Sequence, residues 1–208
     1  MSDAASDHWE RVYSAKAADA VSWYQPTPAS SLNVLERHGV PASAALIDVG
    51  GGASSLVDHL LDRGWTDLAV LDLADSALAV SRDRLGPRAG QVEWLVADIT
   101  RWRPGRRFDV WHDRAVFHFL TEAADREAYR SALLTGLNPG GWLIMATFAP
   151  DGPERCSGLP VRRYDAAGLA AELGPGFDLA ETWREVHVTP GGAEQKFNWA
   201  VFRKSAVE

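Results

Sequence analysis

Three consecutive glycines, Gly50 to Gly52, follow a short apolar run, and the acidic residue Asp48 stands two positions before them. Glycine has no Cβ, so its backbone can approach a ligand where any side chain would clash. Asp72 lies 22 residues after the first glycine. An acidic residue about 20 residues on usually binds the two ribose hydroxyls of an adenosyl ligand. Asp98 follows a later apolar run and could accept a hydrogen bond from an adenine amino group, so these residues indicate an adenosyl site.

Two kinds of adenosyl ligand compete for this loop. The pattern Gly50-x-Gly52-x-x-Ser55 nearly fits the dinucleotide fingerprint, but a serine stands where glycine or alanine is expected. A dinucleotide would place its pyrophosphate at this turn, where the charge of Asp48 would repel it and no Lys or Arg compensates. A cationic amine would be attracted instead. An adenosyl group that carries an ammonium and no phosphate describes S-adenosylmethionine, which we expect to be the cofactor.

Strand and helix patterns alternate through the middle of the chain and place these acidic residues at strand ends. Short apolar runs predict five strands, at residues 44–49, 67–72, 92–96, 108–111 and 142–148. Apolar residues at helical spacing predict helices that begin at Ser54 or Ser55 and that cover residues 76–85 and 121–137. This alternation predicts an α/β fold with a doubly wound, mostly parallel sheet. Ligands of such sheets bind beyond the carboxyl ends of the strands.

The two ends of the chain depart from the alternation. Residues 177–188 and 195–203 are extended runs that flank Thr189-Pro190-Gly191-Gly192, which predicts an antiparallel C-terminal hairpin after a helix at residues 164–173. The first 40 residues contain helical patterns at 8–16 and 30–38 on either side of an aromatic stretch. We therefore expect a helical N-terminal cap on the sheet.

Five motifs, taken in order, resemble those of class I, Rossmann-like S-adenosylmethionine-dependent methyltransferases, in particular small bacterial members. They are Leu46 to Ser54, Leu71-Asp72-Leu73, Ala97-Asp98-Ile99, Phe108 to Leu120, and Leu137 to Gly141. The resemblance covers about residues 40 to 150 and is jointly specific. One departure is Ser54, where many members have a third glycine; a small side chain there should cost little. The resemblance implies a seven-stranded sheet whose last strand is antiparallel.

The residue types and the resemblance together define an expected cofactor site. Aromatic faces such as those of Trp9 and Trp23 suit a sulfonium cation. By the resemblance, the N-terminal segment folds over the cofactor, and the segment from Ala149 to Arg163, which contains Cys156, forms the opposite wall of the acceptor pocket. The cofactor-binding residues are expected to be Trp23, Asp48, Gly50, Gly51, Gly52, Asp72, Leu73, Asp98, Ile99 and Asp113.

Length and composition bound the remaining possibilities. The chain of 208 residues fits one domain, with a cap at residues 1–40, a cofactor-binding core at 44–150, and an acceptor-side loop, helix and hairpin at 151–208. The net charge of −7 argues against a basic nucleic-acid surface. One cysteine permits neither an internal disulfide nor a Cys-rich metal site. No apolar run is long enough to span a membrane, and no secretory signal is evident. We expect a cytoplasmic monomer or homodimer.

The predicted activity is transfer of a methyl group to a small-molecule acceptor. If the acceptor is an oxygen or nitrogen that must lose a proton, a base whose pKa lies near the working pH helps. His112, His118 and His187 are the candidates for that base. We assign catalysis to His118 and His187, although the apolar neighbours of His118 fit a core histidine equally. A thiol or chalcogenide acceptor is already ionised near neutral pH and needs no base.

Three alternatives stay open at this point. A protein-lysine methyltransferase of the same fold would bind its partner through an acidic groove, which the negative charge permits. An NAD(P)-dependent reductase would use the glycine loop for different chemistry. A non-catalytic binding module would keep the cofactor site and present a surface to a partner.

Overall fold

Seven strands form one sheet in the computed structural model, which describes residues 3–15 and 18–206. Two further short strands form a separate hairpin. In chain order the strands are β1 (Leu46–Val49), β2 (Leu68–Asp72), β3 (Val92–Val96), β4 (Phe108–Arg114), β5 (Leu137–Phe148), β6 (Arg155–Cys156), β7 (Leu159–Pro160), β8 (Phe177–Val188) and β9 (Glu194–Lys204).

Six α-helices accompany these strands in the described part of the chain. They are α1 (Asp3–Ala15), α2 (Ala29–Arg37), α3 (Leu56–Asp62), α4 (Asp75–Leu85), α5 (Ala123–Gly136) and α6 (Ala166–Leu173). Helix α4 ends where Gly86 adopts a φ of 56°, a conformation that glycine enters readily and other residues avoid. The predicted order of elements is confirmed, with most boundaries within two residues.

The strands lie in the order β3-β2-β1-β4-β5-β9-β8. All pairs from β3 to β5 are parallel, whereas β9 is antiparallel to both of its neighbours. The chain runs outward from β1 to β3 and then returns to place β4 on the other side of β1. Strand order therefore reverses between β1 and β4, and the carboxyl ends of these two strands diverge there, which is where open α/β sheets bind ligands. The predicted doubly wound sheet and C-terminal hairpin are confirmed.

Apolar side chains cover both faces of the sheet, as near-continuous apolar strands predict. One core lies on the face that contains Leu46, Val110 and Trp199, and the other on the face that contains Ile47, Trp111 and Phe202. Within the first core the indoles of Trp183 and Trp199 stack, with ring centroids 5.2 Å apart and planes 7° apart. The C-terminal hairpin thus completes a core that the parallel strands begin.

Helix α2 and the loop before it connect the N-terminal segment to this framework. Arg37 donates two hydrogen bonds to Glu181 of β8. Ser55 Oγ donates to the carbonyl oxygen of Gln25 over 2.9 Å, which ties the loop to the start of α3. Lys16, which the sequence places at the end of the first helical pattern, lies outside the described residues. None of the described helices has the length and apolarity needed to cross a membrane.

Candidate functional site

Two adjoining cavities open at the carboxyl ends of the strands, where β1 and β4 diverge. They enclose about 690 and about 520 Å³ of empty space, mouths included, and share Trp23, Gly50 and Arg114 in their walls. One side of the larger cavity comes from the ends of β1 and β2 and from the segment after β3: Val49, Leu71, Asp72, Leu73, Ala97, Asp98 and Ile99. The other side comes from the cap, the segment after β4 and β6: Trp9, Tyr13, Trp23, Arg114, Ala115, Val116, Phe119 and Cys156.

Asp72 ends β2 as a buried carboxylate in the wall of the larger cavity. Its Oδ1 accepts a hydrogen bond from the backbone N–H of Ala74 over 2.9 Å. Burial raises the pKa of this carboxyl to about 7, against the hydrogen bonds from the backbone of Ala74 and Leu73, and the charges of Asp48 and Glu10 add to the increase. A pair of hydroxyl donors would satisfy the ionised form, so the environment suits the ribose ligand that the sequence predicts.

Asp98, Leu73 and Ile99 line the same cavity beside Asp72. Asp98 Oδ1 accepts hydrogen bonds from the backbone N–H of Thr100 and from its hydroxyl, over 2.9 and 2.7 Å. Burial alone would raise the pKa of Asp98, but the hydrogen bonds that it accepts, these two among them, hold it below its ordinary value. The apolar side chains of Leu73 and Ile99 provide a surface on which a purine ring could pack.

The glycine loop is shaped by the two carboxylates on which it packs. A Cβ on Gly51 would lie 2.5 Å from Asp48 Oδ2, and one on Gly52 would lie 2.6 Å from Asp72 Oδ2. Gly50 has a φ of 70°, and a Cβ there would collide with Val116. The sequence interpretation, in which the glycines make room for a ligand, is therefore incomplete, because the protein's own carboxylates and Val116 already exclude larger residues.

Helix α4 fixes this loop from behind. Ser81 Oγ donates to the carbonyl oxygen of Gly52 over 2.6 Å, and Arg84 donates to the carbonyl oxygens of Ala53 and Ser54. The guanidinium of Arg84 also binds both carboxylate oxygens of Asp58. The turn is therefore held in place independently of any ligand.

Asp48 takes part in a buried chain of three polar side chains. Its Oδ1 lies 2.7 Å from His112 Nδ1, and His112 Nε2 lies 2.9 Å from Ser31 Oγ. A carboxylate can only accept, so Nδ1 carries the proton, and in the neutral ring Nε2 accepts from the serine hydroxyl. Asp48 and His112 line the smaller cavity together with Ser31. The ring therefore orients the carboxylate that we expect to attract the cofactor's ammonium group.

Aromatic rings of the N-terminal cap close the larger cavity. Trp9 makes edge contacts with Trp23 and Phe119, at centroid distances of 5.6 and 5.2 Å, and Tyr13 lies 5.9 Å from Trp23. All four rings line the cavity. Their faces can surround a sulfonium cation and exclude water from it.

Glu10 attaches this aromatic cap to the cofactor edge of the sheet. Its carboxylate accepts from the backbone N–H groups of Asp75 and Ser76, over 2.7 and 3.4 Å. These are the first N–H groups of α4, which has no side-chain cap of its own. Such groups have no partner within a helix, so a carboxylate from α1 satisfies them.

The two histidines that the sequence assigns to catalysis are not among the residues that line these two cavities, and their catalytic role stays a prediction. His118 is fully buried against Phe119 and Phe148, and its Nδ1 accepts from the backbone N–H of Phe148 over 3.2 Å. Burial, with a smaller effect of the Arg114 charge, lowers its pKa to about 3. His187 directs its Nε2 to the carbonyl oxygen of Ser22 over 2.8 Å, and burial lowers its pKa as well. The core-histidine alternative describes His118 better than the catalytic one.

Asp113, which the sequence predicts to contact the cofactor, is not among the residues that line these two cavities. Its Oδ1 accepts from the backbone N–H groups of Val116 and Phe117, and its Oδ2 accepts from the Tyr129 hydroxyl over 2.7 Å. The Trp111 indole in turn donates to that hydroxyl over 2.9 Å. The carboxylate therefore stabilises the turn after β4, which presents the next residues to the cavity.

Arg114 lies in the cavity wall but was not assigned a role from the sequence. It is the last residue of β4, so a cation at a strand end was the available signal, and the carboxyl-edge rule could have identified it. Tyr13 and Cys156, which line the same wall, belong to the N-terminal segment and to the 149–163 segment, which the resemblance places at the pocket. No group of three or more metal-ligating side chains occurs within the described ranges.

Comparisons with known proteins agree with this architecture. A family profile described as "Methyltransferase domain" matches residues 46–141. The chain is 27% identical over 110 residues to the eEF1A lysine and N-terminal methyltransferase of Mus musculus, which covers 52% of this chain and 16% of that protein. It is 25% identical over 173 residues to thiocyanate methyltransferase 1 of Arabidopsis thaliana, covering 81% and 74% of the two chains. The solved structure of an S-adenosylmethionine-dependent methyltransferase from Anabaena variabilis superposes with a TM-score of 0.75, at 16% identity, over 96% and 95% of the two chains.

The sheet order, the glycine loop with its two carboxylates, and these comparisons define an S-adenosylmethionine site on a Rossmann-like fold. Residues 46–141 match the methyltransferase-domain family, and the chain has the Rossmann-like fold of S-adenosylmethionine-dependent methyltransferases. It spans only about a sixth of the length of the eEF1A methyltransferase that it resembles.

Proposed function

We propose that this chain transfers the methyl group of S-adenosylmethionine to a small-molecule acceptor whose nucleophilic anion is already accessible near neutral pH, such as a thiol or a related chalcogenide. The observation that carries this proposal is the absence of a suitable base among the described residues of the cap-side wall. The proposal favours the base-free alternative over an oxygen or nitrogen acceptor that a histidine deprotonates.

The titratable groups on that wall are Tyr13, Arg114 and Cys156. Burial raises the pKa of Tyr13 well above its ordinary value and that of Cys156 to about 11. Both groups are therefore protonated at neutral pH, and an arginine cannot serve as a base. A general base needs a pKa near the working pH and must reach the acceptor, and none of the three meets both requirements.

The residues of the site would act by binding, orienting and excluding water. The cofactor supplies an activated methyl group whose departure leaves a neutral thioether, so no acid is needed at the leaving group. Asp72, Asp98 and the glycine loop would hold the adenosyl half. The rings of Trp9, Trp23 and Phe119 would exclude water from the nucleophile. They would also hold it in line with the methyl–sulfur bond, at roughly 3–3.5 Å from the methyl carbon.

The comparison with thiocyanate methyltransferase supports an anionic acceptor. The name of that enzyme specifies an acceptor that is an anion at neutral pH, and its similarity extends over 81% of this chain. A thiol has an ordinary pKa of about 8.5, so a useful fraction is thiolate near neutral pH without help from the protein.

The alternatives receive less support. A lysine side chain would carry its ammonium past Arg114, whose like charge would repel it, and the eEF1A methyltransferase resembles only 52% of this chain. The methyltransferase comparisons and Asp48 both oppose a dinucleotide-dependent reductase. A non-catalytic module would bind cofactor without turnover.

Ligand binding and turnover test the proposal in sequence. We expect S-adenosylhomocysteine, and neither NAD nor NADP, to raise the melting temperature. The enzyme should then release S-adenosylhomocysteine with hydrosulfide and 4-thiocresol, and release far less with the matched alcohol and amine, 4-cresol and 4-toluidine. Faster turnover on the alcohol or amine would contradict the acceptor class.

Cofactor binding without turnover on any of these acceptors would favour a binding module. Light scattering would decide between the monomer and the homodimer.

A further inference from the structure

Arg114 holds a buried guanidinium at the junction of the two cavities, and among the described residues only one of its three nitrogen atoms has a hydrogen-bond partner. Nη1 donates to the carbonyl oxygen of Trp23 over 2.9 Å. The guanidinium carbon lies 5.0 Å from the centroid of the Phe197 ring on β9, which packs against the cation. Nε and Nη2 are both closed to solvent and have no partner among the described residues.

The carboxylates that act on Arg114 electrostatically are already bound to other groups. Glu185 accepts hydrogen bonds from Gln25 and Ser30, and Asp48 accepts from His112. Arg114 forms no ion pair within the part of the chain that the structure describes. Burial lowers its pKa to about 10, so the side chain is still charged at neutral pH. An unpaired buried cation is costly, and an anionic ligand would offset that cost.

The two free nitrogen atoms have the geometry of a specific receptor. Nε and Nη2 lie on the same edge of the guanidinium, and their N–H bonds run parallel. Such an edge forms two parallel hydrogen bonds with the two oxygens of a carboxylate, whereas an ammonium ion can accept neither. The third nitrogen and the Phe197 contact fix the plane of the group, so the edge is oriented in advance.

A carboxylate in this site has two conceivable sources, the acceptor and the amino-acid tail of the cofactor. Arg114 borders both cavities, including the one that contains Asp48, but its packing on Phe197 and the nearby Cys156 favour the acceptor. Its guanidinium lies over β9, beyond β5, whereas Asp72 and Asp98 lie at the ends of β2 and β3 on the other side of β1. Cys156, on the hairpin after β5, lines the same wall as Arg114. The cation thus lies on the side of the cavity farther from the adenosyl site.

We propose that the Nε–Nη2 edge of Arg114 binds a carboxylate, or an equivalent planar oxyanion, of the acceptor. This inference rests on the proposed function and narrows it to acceptors that carry such a group besides the nucleophilic atom. Arg114 is then a specificity-determining residue, and the flat rings of Trp9 and Phe119 in the same wall favour a planar acceptor body.

The test compares benzoate with benzamide, which have the same shape and differ in charge. Each is titrated by calorimetry into enzyme saturated with S-adenosylhomocysteine, so no turnover is involved. We expect wild type to bind benzoate about tenfold or more tightly than benzamide. Arg114→Gln should reduce this preference to within about threefold, and Arg114→Lys should retain part of it. Arg184→Gln, at an exposed arginine that pairs with Asp151 on the surface, should behave as wild type.

Two results would overturn the proposal. The first is the absence of a benzoate preference that depends on Arg114: wild type binds benzoate and benzamide equally, or the preference for benzoate survives in Arg114→Gln. If Arg114→Gln does not fold, the benzoate preferences of wild type and of Arg114→Lys decide whether the proposal holds. The second is a cofactor effect: Arg114→Gln would weaken S-adenosylhomocysteine about tenfold or more and leave 5′-methylthioadenosine, which lacks the amino-acid tail, unchanged. The carboxylate would then be the cofactor's own. Failure of the proposed function is separate because it is measured by turnover: no methyl transfer to any acceptor, or faster transfer to the alcohol or amine than to the thiol.

Discussion

Asp72 shows how one buried carboxylate can weaken the free protein and strengthen its complex. In the free protein the raised pKa means that the ionised form lacks the solvation it has in water. Hydroxyl donors from a ribose would restore that solvation, so binding should favour the ionised form. Cofactor affinity is then linked to the loss of a proton from this residue.

We expect the affinity for S-adenosylhomocysteine to rise about tenfold between about pH 6 and about pH 8, because the fraction of ionised Asp72 rises over that interval around its pKa of about 7. Calorimetry in buffers of different ionisation enthalpy should show proton release at about pH 6. Asp72→Asn should bind about tenfold or more weakly at the higher pH and lose the pH dependence. An unchanged dissociation constant in that variant would remove Asp72 from the cofactor site.

His118→Gln should lower turnover by less than about tenfold and leave cofactor affinity unchanged, because His118 is buried away from both cavities. The glutamine oxygen can accept from the Phe148 N–H, as His118 Nδ1 does. Steady-state kinetics with a thiol acceptor, and the pH dependence of the rate, would check this expectation. A loss of about a hundredfold or more with intact cofactor binding would restore the general-base assignment.

At the residue scale, sequence reasoning was most useful where backbone position alone determines a role. Asp72 and Asp98 follow strands in a fold with a known ligand edge, so their presence in the cavity wall could be predicted. The positions of His118 and Asp113 depend on where the chain turns after β4. That turn is set by hydrogen bonds from Tyr129 and the local backbone to Asp113, which no spacing rule reveals.

At the scale of elements, α1 is held over the cavity by the contact between the Glu10 carboxylate and the first backbone N–H groups of α4. Glu10 supplies the carboxylate at the start of α4 that the α4 sequence does not supply. The residue that caps the start of α4 lies 65 positions away in the sequence. Local sequence could predict that this helix begins here, but it could not predict that α1 would cap it.

Glu10→Ala should cost about 0.5–2 kcal/mol of stability, the usual range for a lost helix cap. It should also raise the KM for the acceptor more than it lowers cofactor affinity, because α1 carries Trp9 and Tyr13. Chemical denaturation and steady-state kinetics measure the two effects. Asp7→Ala, at an exposed position of the same helix, is the matched control and should change neither. Equal behaviour of the two variants would show that α1 closes the cavity without the Glu10 contact.

Strand β4 shows why element boundaries were harder to predict than element order. The apolar pattern predicts a strand that ends at Trp111, yet β4 continues through Arg114. His112 and Asp113 interrupt the apolar pattern, but both have buried hydrogen-bond partners. His112 contacts Asp48 and Ser31, and Asp113 accepts from Tyr129. Polar residues that would end an exposed strand can extend a buried one when tertiary hydrogen bonds satisfy them.

At the scale of the whole molecule, the cofactor site imposes a cost on the stability of the free protein. Burial raises the pKa of Asp72 to about 7, above its unfolded value. The native state therefore binds more protons than the unfolded state between about pH 4 and about pH 7, and this residue's contribution to stability falls as pH rises through that interval. The buried Asp113, whose pKa burial raises to about 6, acts in the same direction, and His118, whose pKa is lowered to about 3, acts in the opposite one.

We expect Asp72→Asn to unfold at a higher temperature than wild type at about pH 8 without ligand, and the difference to shrink toward about pH 4. Binding and stability should thus change in opposite directions in a single variant. Thermal denaturation of both proteins over this pH interval, in the free and the ligand-saturated state, provides the measurement. A variant that is less stable than wild type at every pH would show that the ionised carboxylate contributes a favourable interaction to the free protein.

The stacked indoles of Trp183 and Trp199 have an optical consequence. The transition dipoles of two indoles 5.2 Å apart couple, and the pair should add an exciton couplet to the circular dichroism spectrum when the dipoles are rotated relative to each other within the stacked planes. Trp183→Phe would remove this couplet while leaving the other eight tryptophans in place, including the Trp9–Trp23 pair at the cavity. Because the couplet requires β8 and β9 to be paired, the difference between the wild-type and Trp183→Phe spectra during refolding or denaturation would report the C-terminal hairpin.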